Sequence, residues 1–456
     1  MLDAPLTWRD RFLIGLLAFV FVAVGVLTEI RSAYLQTRHT DLTVYLRASW
    51  AIREGLNPYT VPDDHGWHYT YPSLLAIALI PFADAPPGTS QPTWVVPYPI
   101  SVAVWYLLSV ALLAWSVHHL CRVLEETRRG GLGIAAPGTR RFWWTRLWPV
   151  LICLPAIGST VVRGQVNILV VALVVGCIVA VLRGRRAAAG WWLAAATCIK
   201  VIPALLILYP VVKRDWRMVC HFTLGVLAGI VLIPVLVLGP SQALETTETF
   251  VNQTLLPGLT TKPGALSDEL TSMTGTDNQS IRSIIHTAVN WGVEPRPRTA
   301  STGTKLAHAI LAVVMIVWTF LAARRIADER YRTLFLLSGL TIVAVAVTPV
   351  NHTHYMALAL PAVLGLVVWE LEQRGKFHWG LILTAVMVVH VVSGIYPRVP
   401  VLPGYQAVRD LGFTMLGTLL VWYVSLRLPV ATSKLFTMPL NPKEVTLPRP
   451  GVPISK

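Results

Sequence analysis

Asp41, Lys200 and the histidines His352 and His354 are the residues of this chain whose types and settings are best suited to chemistry. Asp41 follows the polar Thr40 and leads an amphipathic stretch, Leu42-Thr43-Val44-Tyr45-Leu46, which places it near the start of a helix. Two roles compete there: a carboxylate that caps the helix, or one at a water–lipid boundary that takes a proton from a hydroxyl. Lys200 stands in the middle of an apolar run, where an ionisable group is costly and tends to face a cavity or pathway. Its alternative is an ammonium snorkelling to a membrane surface; its active role would be to hold a phosphate as a point charge. Arg163-Gly164-Gln165-Val166-Asn167 is a tight polar turn between apolar segments, which a plain hairpin connection explains equally well. Asp277-Asn278-Gln279-Ser280-Ile281-Arg282 and Thr348-Pro349-Val350-Asn351-His352-Thr353-His354-Tyr355 are two more polar breaks. His352 and His354 have no carboxylate or third ligand beside them, so no metal is expected there. Asn252, Asn278 and Asn351 begin glycosylation sequons, a frequent chance match.

The elements that must position these groups are membrane helices. Of 456 residues, 54% are hydrophobic and only 13% charged, against about 25% charged in soluble domains; mean hydropathy is +0.59. Such a chain cannot keep its surface wet, so its solvent is lipid. The net charge of +15 does not point to nucleic acid, because the cations sit in short clusters between apolar segments, as the positive-inside rule describes. The five cysteines, Cys121, Cys153, Cys177, Cys198 and Cys220, lie in or beside apolar segments without metal-ligand spacing, and read as packed thiols.

About ten spans are expected, near 12–30, 99–121, 147–162, 166–182, 217–239, 306–323, 333–350, 355–370, 378–396 and 409–427. The first is long enough to cross about 30 Å and lacks a cleavage site, so it is read as a retained helix rather than a signal peptide. With a cytoplasmic N-terminus, most Lys and Arg fall on the cytoplasmic side, which puts both termini there. Two segments resist simple spanning. Residues 70–83 are short and bracketed by Pro72 and Pro81, and read as an interfacial or re-entrant helix. Residues 187–212 have cationic clusters at both ends and are interrupted by Lys200 and Pro203; they read as a re-entrant hairpin, with one long span as the alternative. The expected fold is thus an all-α polytopic bundle forming one unit over 1–427. It has external regions at 31–98 and 240–305 and a Pro-rich, disordered cytoplasmic tail over 428–456.

Five ordered patches carry a resemblance: DLTVYLRASWAIREGLNPY with HYTYPSLLAIALIPF, RGQVNILVVAL, WWLAAATCIKVIPALLILY, DNQSIRSII, and TPVNHTHYMALALP. In order and spacing, from about Asp41 to Leu360, they resemble glycosyltransferase family 87. These are GT-C type enzymes using polyprenol-phosphate sugars, among them mycobacterial phosphatidylinositol mannoside α-mannosyltransferases. The resemblance implies inverting transfer of a sugar, mannose above all, from a polyprenyl-phosphate donor to a hydroxyl of an envelope glycolipid or glycan on the external leaflet. No cofactor is implied. Asp41 would deprotonate the acceptor, and His354 would orient it or assist the base. Lys200, with Arg163 and Arg282, would neutralise the donor phosphate. Tyr45, Gln165, Asn167, Gln279, Ser280 and His352 would line the substrate site. Ser73 stands where the family often has a second Pro, and His352 where an aromatic is common; the latter leaves acceptor choice open. An arabinofuranosyltransferase of the same donor class is one alternative. A transporter or flippase of lipid-linked sugars is another, although it would call for paired halves with matching broken helices, and only one broken segment is present.

Overall fold

A computed structural model describes residues 3–35, 40–126, 133–257, 272–274, 278–374 and 381–436. Among these the regular structure is helical, with a single isolated bridge between Pro5 and Thr139. In lipid every backbone N–H and C=O must be satisfied within the chain, and helices do this locally. Each of the ten apolar segments lies on a helix. By length and composition, however, five are able to cross a membrane: Trp8–Tyr34, Tyr98–Glu126, Trp216–Leu238, Thr302–Ala323 and Thr353–Glu372. A sixth arises if Arg140–Ile152 and Leu154–Val162, bent by 68° at Cys153, are one span. The other apolar helices are shorter, among them Asn167–Leu182, Ile202–Val212, Leu383–Ile395 and Phe413–Pro429. Asn167–Leu182 has 16 residues, about 24 Å of helix, and is buried along nearly all of its length. The lipid-like surface is carried by the outer helices, where Phe12, Leu16, Phe19, Leu306, Ile310 and Val313 stand exposed.

The 187–212 segment doubles back. Arg186–Ile199 is helical, Lys200 is extended (φ −150°, ψ 125°), and the chain returns through a 3-10 turn, Ile202–Ile207, into the short helix Leu208–Val212. Its two feet meet: Arg186 Nε lies 3.2 Å from Asp215 Oδ2. An α-helix of 14 residues rises about 21 Å, so Lys200 stands at the apex, well removed from the feet. Close helix approaches hold this hairpin in place. A Cβ on Gly190 would fall 2.6 Å from the Met218 carbonyl oxygen, and one on Gly225 would fall 2.5 Å from Ala194 Cβ. Small residues at these crossings let backbones approach where apolar burial gives little association energy in lipid.

Ion pairs collect where helix ends gather at the feet. Arg140 pairs with Asp10, Arg146 with Glu125, Arg183 with Glu126, and Arg330 with Glu372. The 70–83 region forms a six-residue helix, Ser73–Ala78, and a 3-10 turn, too short to cross. The last helix, Phe413–Phe436, runs past residue 427 and through Pro429. Asp277 and residues 437–456 lie outside the described residues.

Candidate functional site

The end of the bundle opposite the hairpin feet gathers the Asp41, Arg163–Asn167 and His352–Tyr355 segments around Lys200. Thr40 is the N-cap residue of the Asp41–Arg53 helix, although its side chain makes no capping bond; its hydroxyl lies 3.4 Å from that of Tyr98. Asp41 is the first helical residue, and its backbone N–H donates to the Arg163 carbonyl at 2.8 Å. The capping role is thus not Asp41's, and its carboxylate is left beside the polar turn.

Gly164 makes this approach possible. It has φ +65°, and a Cβ there would fall 2.8 Å from Leu42 Cβ, the residue after Asp41. Gly164→Ala is expected to destabilise the protein by about 1–3 kcal/mol and to displace Asp41 from the turn. Thermal unfolding with a parallel turnover assay checks this; an alanine variant with unchanged melting and unchanged turnover would show that the close approach is dispensable.

Gln165 links the tyrosines to the acid. Its Oε1 accepts from the Tyr45 hydroxyl at 3.0 Å, its Nε2 lies 3.4 Å from the Tyr71 hydroxyl, and the side chain also hydrogen-bonds Asp41. Burial raises the Asp41 carboxyl above its ordinary range, with Asp63 adding to the rise, while Arg163, Gln165 and Lys200 oppose it. The acid is partly accessible nonetheless. The Tyr71 phenol is pushed up to about 12, chiefly by burial and then by the Asp41 charge, so it stays protonated and can donate.

Lys200, 3% exposed, donates to Asn167 Oδ1 at 2.8 Å. Its ammonium lies over the Tyr355 ring at 3.7 Å and the Tyr71 ring at 5.2 Å. Both contacts favour the charged form of a lysine removed from water. Asn167 in turn donates to the His354 carbonyl at 3.0 Å, as does Thr160 at 3.1 Å. His354 therefore contributes its backbone to the support of Lys200, while its ring stacks with His352 and tilts against Tyr355.

The structure thus brings Asp41, Tyr45, Arg163, Gln165, Asn167, Lys200 and His354 into one connected cluster. Gln279 and Ser280 instead meet backbone: Gln279 Nε2 donates to the Arg409 carbonyl and Ser280 Oγ to the Pro349 carbonyl, both at 2.8 Å. They brace the same 349–354 segment from its other side. Arg282 is buried on the helix that Ser280 caps, close to His308, and its Nε and Nη1 have no hydrogen-bond partner. A buried guanidinium with open donors is suited to an anion. Tyr71 and Tyr355 join the site without a chemical signal of their own in the sequence, although both lie in the patches quoted above; Asp63 has no local signal, and reaches the Asp41 helix through the Thr43 hydroxyl at 2.8 Å. Among the described residues no three His, Cys, Asp or Glu side chains converge as metal ligands. A cleft beside Leu42 and Gly164 is lined by Thr28, Ser32, Val102 and Trp105.

The model of glycosyltransferase family 87 matches residues 69–349, which include Gln165, Asn167 and Lys200 but not Asp41 or His354. No curated protein matches the chain. Solved structures similar to it include ArnT from Cupriavidus metallidurans bound to undecaprenyl phosphate, at 15% identity and a TM-score of 0.40. The same protein in the apo state gives 14% and 0.35. Each alignment covers 90% of this chain and 76% of the other.

Proposed function

The chain belongs to glycosyltransferase family 87, and from that premise we propose that it transfers mannose from a polyprenyl-phosphate donor to a hydroxyl of an envelope glycolipid, with inversion, on the external leaflet. The observation that carries this reading is the meeting of Asp41 and Lys200 across the Gln165–Asn167 turn. One group can take a proton; the other can hold a phosphate.

In this reading the acceptor hydroxyl lies against the Asp41 carboxylate and attacks the anomeric carbon from the face opposite the phosphate. The carboxylate takes the hydroxyl proton as the new glycosidic bond forms and the carbon–oxygen bond to phosphate breaks. The electrons of that bond leave with the phosphate, whose growing charge falls on Lys200, with Arg163 and Arg282 as further cations. Such groups act most strongly when fixed in place before charge develops and shielded from water. Lys200 meets that requirement through Asn167, Tyr355 and Tyr71. Tyr45, Gln165, Asn167, Gln279, Ser280 and His352 would line the sugar and acceptor positions, and His354 would orient the acceptor. The external side is favoured by the ion-paired cations at the hairpin feet, which suit the cytoplasmic face.

Purified protein supplied with synthetic polyprenyl-phosphate mannose and a glycolipid acceptor extract is expected to release polyprenyl phosphate and form a glycoside of opposite anomeric configuration. Transfer from the arabinofuranose donor in place of the mannose donor would overturn the sugar assignment. Retention of configuration would overturn the single-displacement geometry.

A further inference from the structure

At the feet of the hairpin, far from Lys200, lies a second polar cavity of about 470 Å³, within the size range of small-ligand sites. It is lined by Arg186, Tyr209, Lys213, Asp215, Arg217, Glu329, Arg332, Thr333 and Leu336. Four of these are cations and two are acids. Asp215 is already committed: it pairs with Arg186 at 3.2 Å and caps the next helix by accepting from the Met218 N–H at 3.2 Å. Arg186 and Thr333 both hydrogen-bond the Tyr209 side chain, which joins the hairpin foot to the Glu329–Ala346 helix. Arg332 uses Nη2 on the Ala327 carbonyl at 3.1 Å, while its Nε is buried without a hydrogen-bond partner. Lys213 and Arg217 stand at the rim, exposed and without an ion pair among the described residues.

We propose that this cavity binds the phosphate of an anionic ligand, supplied by a phospholipid headgroup in the leaflet opposite the candidate active site. The excess of cations sets the sign of the ligand, and their spread over four helix ends suits several oxygens rather than one. Leu336 is the one aliphatic lining residue, so a hydrocarbon chain would not enter the cavity. It would instead lie outside, where Val211, Val212 and Trp216 are exposed beside the rim, Trp216 at 63%. Tryptophan favours that boundary level of a bilayer, and basic pockets between membrane helices on the cytoplasmic side suit anionic headgroups. Glycerol phosphate in solution presents the same phosphate without the chains.

The test uses the full-length protein in detergent and reads binding of fluorescent phosphatidylglycerol, with phosphatidylcholine and glycerol phosphate as competitors. Sugar transfer is not involved, so the outcome is independent of the catalytic reading. Phosphatidylglycerol is expected to bind well above phosphatidylcholine. Lys213→Gln with Arg217→Gln should weaken it roughly fivefold for each cation removed, with an unchanged melting temperature. Arg217→Lys should retain binding. If glycerol phosphate displaces the lipid at equal concentration, the phosphate site stands and its lipid source is overturned. If the double variant binds phosphatidylglycerol like the parent, or if the parent does not prefer it to phosphatidylcholine, the proposal is overturned.

Discussion

Asp41→Asn is expected to lower the transfer rate by about 10²–10⁴-fold, the usual contribution of a positioned general base, while leaving the protein folded. Asparagine keeps the shape and can still accept from Gln165, but it cannot take a proton. The electrostatics add a second, unusual expectation. Burial raises the Asp41 carboxyl in the folded chain, so the folded state binds a proton more tightly there than the unfolded state does. For an acid with a raised folded pKa, stability falls as pH rises from the unfolded value through the folded one. Removing the charge should therefore leave the melting temperature at neutral pH unchanged or higher. A purely structural carboxylate would do the opposite, and its loss would lower both stability and activity. The parent's kcat/KM should climb with pH through an acid limb above the usual carboxylate value near 4. That limb should be absent from the residual rate of Asp41→Asn. Near-normal turnover in the variant would remove Asp41 from the mechanism.

Lys200→Gln is the second large effect. Glutamine can still hydrogen-bond Asn167, so the change isolates the charge from the support of the apex. Loss of one fixed electrostatic group costs about 10²–10³ in rate, and that loss should appear in kcat/KM for the donor with the acceptor KM little changed. Lys200→Ala goes further, because it strands the Asn167 side-chain oxygen and empties the space between Tyr71 and Tyr355. A buried polar atom left unpaired costs about 1–3 kcal/mol, so the alanine variant should melt lower than the glutamine variant. A lysine that merely snorkels would give two variants with ordinary donor kinetics. If instead the acceptor KM rose and the donor term held, the phosphate would have to be bound elsewhere. Arg282, buried with two open donors, is then the group to test next.

These two residues also show how far the amino-acid order reaches. Lys200 was legible because its neighbourhood is apolar, Pro203 follows it, and cationic clusters flank the segment on both sides. Those local facts point to a break, with a return or one long span as the two readings, and in the structure Arg186 meets Asp215. Hydropathy does not separate a helix bathed in lipid from one buried among other helices, so which apolar helices lie inside the bundle was not legible. Asn167–Leu182 is apolar throughout, yet 13 of its 16 residues are buried within the bundle. Gln279 and Ser280 stand in a polar patch that reads as a site; the Gln279 amide nitrogen and the Ser280 hydroxyl bond the backbone of residues 409 and 349, contacts that no local pattern foretold.

Composition and charge spacing by themselves determined a helical chain for a lipid solvent, an interruption at Lys200 and an acid at the head of a helix. Those properties follow from the backbone's need for internal hydrogen bonds and from the cost of placing charge in hydrocarbon. Only the tertiary structure decided that Asp41 is not a cap, that Gly164 lets it reach Arg163, and that His354 supports the apex through its carbonyl. It also decided that Tyr71 and Tyr355 enclose the lysine. Each of these depends on segments far apart in the chain arriving at one place, and such meetings are set by packing, which no local pattern encodes.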